Sequence, residues 1–336
     1  MKILSRFVPA ALAGLLVLTG CPGKKETTET ATTPDSTLPK APAFNADSAY
    51  AFTAKQVAFG PRVPNTKAHV QTGDWIIGQF KKMGLTVQEQ PFEAMAFDGN
   101  MLKSRNIIAR YMPEAPRRVA IFAHWDTRPF ADKDKEHKNE PLDGASDGAS
   151  GVAVALEMAR VLSAQAAGTA PGVGVDFILF DSEDYGYDGG TQGDKKNLLG
   201  NQDSWCLGSQ YWAKNTVPAN YKPNFGILLD MVGAKGAKFS REGLSREKAP
   251  DVLEKVWNTA SELGYSDYFL FADGFSVDDD HVNTNKVGIR TVDVIDFLPT
   301  GEFQAYHHTT QDNMSIIDRR TLKAVGQTLL TVVYGE

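Results

Sequence analysis

Cysteine is nearly absent from this chain. Only Cys21 and Cys206 occur in 336 residues, so whatever folds after Cys21 carries one thiol and can close no internal disulfide. Stability must come from a buried core, for which a chain that is 42% hydrophobic has enough material for one sizeable α/β domain. Basic clusters are absent too. The net charge is −6 and no run of Lys and Arg is interleaved with aromatics, which excludes the nucleic-acid-binding classes. No repeat period is visible, and the sequence is read as having no HExxH zinc helix, no P-loop and no G-x-S-x-G elbow.

What is present begins with an export-like segment, residues 1–21. Lys2 and Arg6 give a positive start, Val8 to Leu18 an apolar run too short to span a bilayer, and Leu18-Thr19-Gly20-Cys21 an ending that resembles a bacterial lipobox. Residues 22–43, rich in Thr, Lys, Glu and Pro, read as a flexible tether. A lipid on Cys21 would then hold residues 44–336, one domain, at the periplasmic or outer-membrane side of a bacterial envelope without a spanning helix.

Periodicity predicts two helices between Asp47 and Gly84, with Val70, Trp75, Ile76, Phe80 and Met83 on one face. Strands are expected at Thr86 to Phe92, Ser104 to Tyr111, Arg118 to His124, Val175 to Phe180, Phe225 to Val232 and Ile289 to Ile295. Helices are expected after Gly148, over Cys206 to Asn215, over Arg246 to Gly264 as one element, ahead of Gly288, and over Asp318 to Tyr334. The alternation predicts an αβα layering about a mixed, mostly parallel sheet.

The chemistry gathers where these strands end. Phe177-Ile178-Leu179-Phe180 runs directly into Asp181, Glu183 and Asp184, and ligands in open α/β sheets sit beyond the carboxyl ends of strands. His124 and Asp126 follow another strand, and Asp230 is a lone charge in an apolar run that needs a proton or cation partner. Asp147, between small residues, is either a plain helix N-cap or a ligand that something approaches closely. Asp278, Asp279 and Asp280 are either a solvated helix start or acids held by a partner. His307 and His308 close the set. Carboxylates with one or two imidazoles and no thiolate suit catalytic zinc, with one acid left to move protons.

The ordered clusters AHWD, SDGASG, FDSED, LLDMVGA, DDDH and HHTTQDN resemble the M28 family of zinc exopeptidases, from about Val119 onward. LLDMVGAKGAKF, the acid before Asp-Asp-His, and WCLGSQYWA are similar to its glutaminyl-peptide cyclotransferase branch, common among tethered envelope proteins of Bacteroidetes-like bacteria. The resemblance implies the family's sheet between helical layers. It also implies one Zn²⁺ on Asp147, Asp184 and His308, Glu183 as acid/base, and Asp230 and Asp279 as hydrogen-bonded acids beside it. Trp205 and Tyr187, with Asp278 and His307, are the implied substrate wall. The substrate would be a peptide or protein N-terminal glutamine, closed to pyroglutamate with loss of ammonia. Two departures stand out: Asp184 replaces a Glu of the animal enzymes, and His307 replaces an aromatic residue. A two-zinc aminopeptidase of the same family, with His124 and Asp230 as extra ligands and Asp147 as bridge, requires nothing the sequence lacks. A non-catalytic peptide-binding lipoprotein is a third reading.

Overall fold

The structure is a computed structural model that describes residues 38–166, 168–189, 196–200 and 202–336. The export-like segment, Cys21 and the tether up to residue 37 lie outside the described residues. Residues 38–336 form one compact unit. In chain order its elements are α1 (Ala46–Val57), α2 (Lys67–Lys82), β1 (Thr86–Met95), β2 (Met101–Tyr111), β3 (Arg118–His124), α3 (Ala149–Ser163), β4 (Gly174–Phe180) and α4 (Leu207–Lys214). They continue with β5 (Phe225–Asp230), β6 (Phe239–Arg241), α5 (Gly243–Lys248), α6 (Pro250–Glu262), β7 (Phe269–Asp273), α7 (Asp280–Lys286), β8 (Thr291–Ile295) and α8 (Arg319–Tyr334).

Six strands form a mixed sheet in the order β1-β2-β4-β3-β5-β8. The β1/β2 and β2/β4 pairs are antiparallel, while β4, β3, β5 and β8 run parallel. β4 is buried along its whole length, as a Phe-Ile-Leu-Phe run covered on both faces requires, and its one charge, Asp176, is met by the Arg118 guanidinium at 2.7 and 2.6 Å. The larger core, on one face, includes Ile76, Phe80, Val154, Met158, Val256 and Leu329 from α2, α3, α6 and α8. The smaller, on the other face, sets Phe122, Phe180 and Trp212 against one another. This is the expected three-layer αβα fold. Among the described residues no helix is long and apolar enough to cross a membrane.

Register decides where chemistry can sit. His124 pairs with Phe180 and Asp230 with Ile295, so the carboxyl ends of β4, β3, β5 and β8 lie along one edge. With β3 between β4 and β5, His124 stands between the acids that follow β4 and the acid that ends β5.

Three details depart from the sequence reading. The single helix expected over Arg246 to Gly264 is broken into α5 and α6, because Pro250 cannot donate to an ongoing helix and instead opens the second. A small parallel pair, β6 with β7, was not expected. Val70, placed on the apolar face of α2, is exposed. Ahead of α1, Ala41 packs against the core and Phe44 is buried. The Phe44 ring occupies the space a Cβ at Gly326 would need, 2.2 Å away, and Gln327 of α8 brackets it, accepting from the Phe44 N–H at 2.9 Å and donating to the Pro42 carbonyl at 3.1 Å.

Candidate active site

The acids after β4 are presented by a tightly specified turn. Ser182 sits in the left-handed region at φ 56°, and its hydroxyl bonds that of Ser104 at 2.6 Å. Asp126 takes the N–H groups of Glu183 and Asp184 on its two oxygens, at 3.0 and 3.2 Å. Asp181 faces away from the cavity. It accepts the Arg105 N–H at 2.7 Å and sits 2.9 Å from Nε2 of His69, whose ring stacks on Trp125. Of the three acids after β4, Asp181 anchors the turn while Glu183 and Asp184 line a cavity of about 320 Å³.

Asp147 is not a plain N-cap. Gly148 occupies that place with no side-chain cap, and the Asp147 carboxylate turns to His124 and His308. Its Oδ1 is 3.0 Å from His124 Nε2 and its Oδ2 is 3.8 Å from His308 Nε2. Gly148 has to be glycine: a Cβ there would lie 2.6 Å from the His124 carbonyl and 2.7 Å from its ring. Asp312 fixes the segment from behind, accepting the Ser146 and Asp147 N–H groups at 2.7 and 3.0 Å. Burial, with Asp147 adding to it, raises the Asp312 carboxyl to about 8. Gly144 to Gly148 also spells G-x-S-x-G, but it follows a loop rather than a strand, and the buried Ser146 hydroxyl faces Tyr306 Oη at 3.5 Å, so no serine-hydrolase elbow exists here.

His308 completes the first group, with its Nε2 3.1 Å from Asp184 Oδ1. Both Asp184 oxygens are buried and without a hydrogen-bond partner. Burial, reinforced by Asp147, pushes this carboxyl well above its usual range, and burial drives His308 down to about 3, which leaves its ring neutral at pH 7. Orphaned carboxylate oxygens beside a neutral imidazole are what a divalent ion would satisfy. Donors about 2.0–2.1 Å from a tetrahedral zinc lie roughly 3.3 Å apart, and the His308 separations of 3.1 and 3.8 Å bracket that spacing. His308 is thus close enough to Asp147 and to Asp184 to share an ion with either, and the donor atoms that all lie near one another here are those of Asp147, His307 and His308. These residues fit a metal, with Asp184 as the third ligand the resemblance implies. A second group, His124, Asp147 and Asp230, also has donor atoms close enough to share an ion. There, however, the Gly148 N–H points at His124 Nε2 from 3.1 Å.

Glu183 belongs to neither group and approaches the second through His124. Its carboxylate is 3.9 Å from His124 Nδ1 and accepts from the Cys206 thiol at 3.4 Å, with Asp279 near enough to complete a three-donor cluster. Burial lifts its pKa well above the usual range; His124 opposes this, while Asp184 and Asp279 add to it. Asp230, 3.2 Å from His124 Nε2, is raised to about 7, by burial first.

Cys206 was legible only as a lone thiol, yet it touches Glu183 twice, through sulfur and through its N–H to the Glu183 carbonyl at 2.9 Å. It is buried, and burial with Glu183 alongside pushes the thiol well up. A chain trimmed past Cys21 is therefore expected to give no reaction with a disulfide reagent at pH 8 until it unfolds, then one thiol per chain. A thiol reacting at a free-cysteine rate in the native state would contradict this placement.

Of the substrate-wall residues, Trp205, Asp278 and His307 line the cavity. Tyr187 does not. Its ring packs on Phe97 in a satellite cluster, and it reaches the site only through its carbonyl, which accepts the Trp205 Nε1–H at 3.3 Å. His307 lies between Phe303 and His308, ring centroids 3.9 and 3.7 Å away, and Nζ of Lys133, a residue sequence reasoning missed, donates to its Nδ1 at 3.0 Å.

Behind the wall, Asp279 is both the N-cap of α7 and a cavity residue. Asp280 and His281 are fully buried, so of the two readings of this helix start the solvated one holds only at Asp278. His281 Nε2 is 3.2 Å from Glu242 Oε2. Glu242 also accepts the Leu244, Ser245 and Val277 N–H groups, so it secures the approach to Asp278 and Asp279. Burial pushes Glu242 up, but His281 and these hydrogen bonds outweigh it and hold the carboxyl at about 2. A depressed carboxylate stabilises the fold above its ordinary pKa and loses that contribution as pH falls through the folded value. Glu242→Gln is therefore expected to cost about 3 kcal/mol at pH 7, a difference that shrinks between pH ~4.5 and ~2; urea midpoints across that window check it.

Comparison with known proteins follows the same lines. The model of Peptidase family M28 matches residues 106–333. The crystal structure of a Bacteroides thetaiotaomicron glutaminyl cyclase is similar at 46% identity and a TM-score of 0.82, covering 88% of this chain and 100% of that one. A Porphyromonas gingivalis glutaminyl cyclase is 48% identical with a TM-score of 0.79, over 87% and 98% of the two chains. The aminopeptidase YwaD of Bacillus subtilis is 28% identical over 82% of this chain, which spans 54% of the aminopeptidase's length. With the family matched over more than half of its length and its strand-end acids gathered at one cavity, the chain belongs to peptidase family M28.

Proposed function

We propose that the chain is a zinc-assisted glutaminyl-peptide cyclotransferase, closing an N-terminal glutamine to pyroglutamate and releasing ammonia. The observation that carries this reading is the separation of two groups in one cavity. Asp147, Asp184 and His308 offer donors for an ion, while Glu183 lies beyond them, touching Cys206 and facing Asp279. Solved relatives at 46% and 48% identity described as glutaminyl cyclases support it.

When bound, zinc would supply a Lewis acid for the side-chain amide carbonyl of the substrate glutamine. The residues of the chain do the rest. Trp205, Ile295, Phe297 and Phe303 supply apolar lining to the cavity, where a bound glutamine would be screened from solvent and fold back on itself rather than meet a solvent nucleophile. The α-amino nitrogen forms a bond to the amide carbon and the bond to the amide nitrogen breaks. Glu183 takes the proton from the attacking amine and returns it to the departing ammonia, so nothing is consumed. A raised pKa suits a group that must both accept and give. Asp184 and Asp279 hold charge next to Glu183 that favours its protonated form, and Asp279 acts likewise on Asp230.

One observation favours the two-zinc aminopeptidase instead: His124, Asp147 and Asp230 also bring donor atoms together. Against it, burial opposes a charge on His124, yet hydrogen bonds to Asp126, Asp147 and Asp230 outweigh burial and hold the imidazole well above its usual pKa, so a second ion would have to displace a proton that these acids retain. Incubating the purified domain with a Gln-initiated and a Leu-initiated peptide and weighing the products tests the choice. Loss of 17 mass units (~17 Da, one ammonia) from the first alone is expected; a free amino acid released from either peptide rejects the cyclase. From the sequence we also propose export and attachment through a lipid on Cys21, testable by whether Cys21→Ser releases the chain from the envelope fraction.

A further inference from the structure

Arg128 is a fully buried cation just past the end of β3, and the chemistry above makes no use of it. A buried guanidinium is costly unless each face of it is met. Here Nε and Nη2 donate to Oδ1 and Oδ2 of Asp132 at 2.8 and 2.6 Å, a planar fork that lysine cannot reproduce. Nη1 donates to the carbonyls of Asp184 and Gly186 at 3.0 and 3.3 Å and lies 3.6 Å from Asp184 Oδ1. The guanidinium carbon sits 4.6 Å from the centroid of the Trp205 ring.

These contacts converge on one place. Trp205 stacks on His308 with centroids 5.9 Å apart and planes 8° from parallel. Asp132 Oδ1 lies 3.9 Å from His308 Nδ1, a buried nitrogen without a hydrogen-bond partner. Gly186 leaves room for the indole to lie flat, since a Cβ there would fall 1.9 Å from it.

Resting on the metal centre proposed above, we infer that Arg128 is a positioning residue for both halves of the site. It fixes the backbone that carries Asp184, orients the carboxylate facing His308, and backs the indole that walls the cavity. Metal affinity and substrate seating are then set by the same side chain. Outer-shell partners of metal ligands change affinity by about 10–100-fold when removed.

The test uses zinc binding to metal-free protein, read by competition with a chromophoric chelator, alongside the circular-dichroism melt and the KM for a Gln-initiated peptide. Arg128→Lys keeps the charge and loses the fork. It is expected to bind zinc about 10–100-fold more weakly and to raise KM while still folded at the temperature of the titration. A merely structural role would lower the melting temperature and leave zinc affinity below the melt unchanged. Should Arg128→Lys not fold, Asp132→Asn, which keeps the shape and one acceptor, carries the test and is expected to weaken zinc binding likewise. Zinc affinity within twofold of wild type in a folded variant overturns the inference. A wild-type chain that takes up no zinc overturns the metal centre itself, a result separable from the first.

Discussion

Glu183→Gln is expected to lower turnover of Gln-initiated peptides by about 10²–10⁴-fold, the range supplied by a positioned general acid/base. The substitution keeps the shape, and its amide can still meet the Cys206 thiol and face Asp279. What it loses is the ability to accept and release a proton. Because Glu183 is not among Asp147, Asp184 and His308, zinc content should stay at the wild-type level. KM should move little, since the proton is transferred only on the way to the transition state. This pairing of outcomes discriminates. A variant that loses both zinc and activity would mean that Glu183 is a ligand, and one that keeps its turnover would remove the shuttle from the mechanism. Wild-type kcat should also fall toward acid pH as Glu183 is protonated and can no longer accept the amine proton. Burial and the neighbouring acids place that fall above the range of an ordinary glutamate.

Much of this site was legible because its determinants are local. An apolar strand that ends in acids announces a cleft, and the strand ends of β3, β4 and β5 each carry such a residue within two or three positions of the last apolar one. The resemblance then assigned roles to side chains that the register brings to one edge. What escaped was the choice of partner, which is long-range. Nothing near Asp181 says that it turns to His69, 112 positions away, while Glu183 and Asp184 turn to the cavity. Tyr187 looked like an aromatic wall, but Phe97 claims its ring. At Asp278 to Asp280 a solvated helix start and partnered acids could not be told apart, because the burial of α7 against α4, β5 and β8 is a tertiary fact. Arg128 was simply the arginine after AHWDT; its meaning lies in Asp132, Asp184 and Trp205 together. The helix break at Pro250 is of the other kind, since the proline was there to be read.

Asp184→Asn should abolish zinc uptake and, in the metal-free protein, leave the fold as stable as wild type or more so. The two halves follow from one observation: both Asp184 oxygens are buried with no hydrogen-bond partner, and burial with Asp147 nearby makes the ionised form unfavourable. Without an ion, the wild-type carboxyl must be protonated or carry a charge that Arg128 Nη1, 3.6 Å from Oδ1, offsets only in part, either of which weakens the fold. A neutral amide relieves that penalty. With an ion, the ranking reverses. An ion held at a thousandfold above its Kd stabilises the native state by about 4 kcal/mol, which for a domain of this size is on the order of 10 °C in melting temperature. Chelation should therefore drop the melting temperature of wild type by roughly that amount and leave Asp184→Asn unmoved, with the two metal-free curves meeting or crossing. His308→Ala provides the contrast. It loses zinc as well, but it removes a neutral ring stacked between Trp205 and His307, so its metal-free form should melt below wild type. If metal-free Asp184→Asn melts clearly below metal-free wild type, the carboxylate is holding the structure rather than waiting for an ion, and the proposed metal centre fails at the residue on which it most depends.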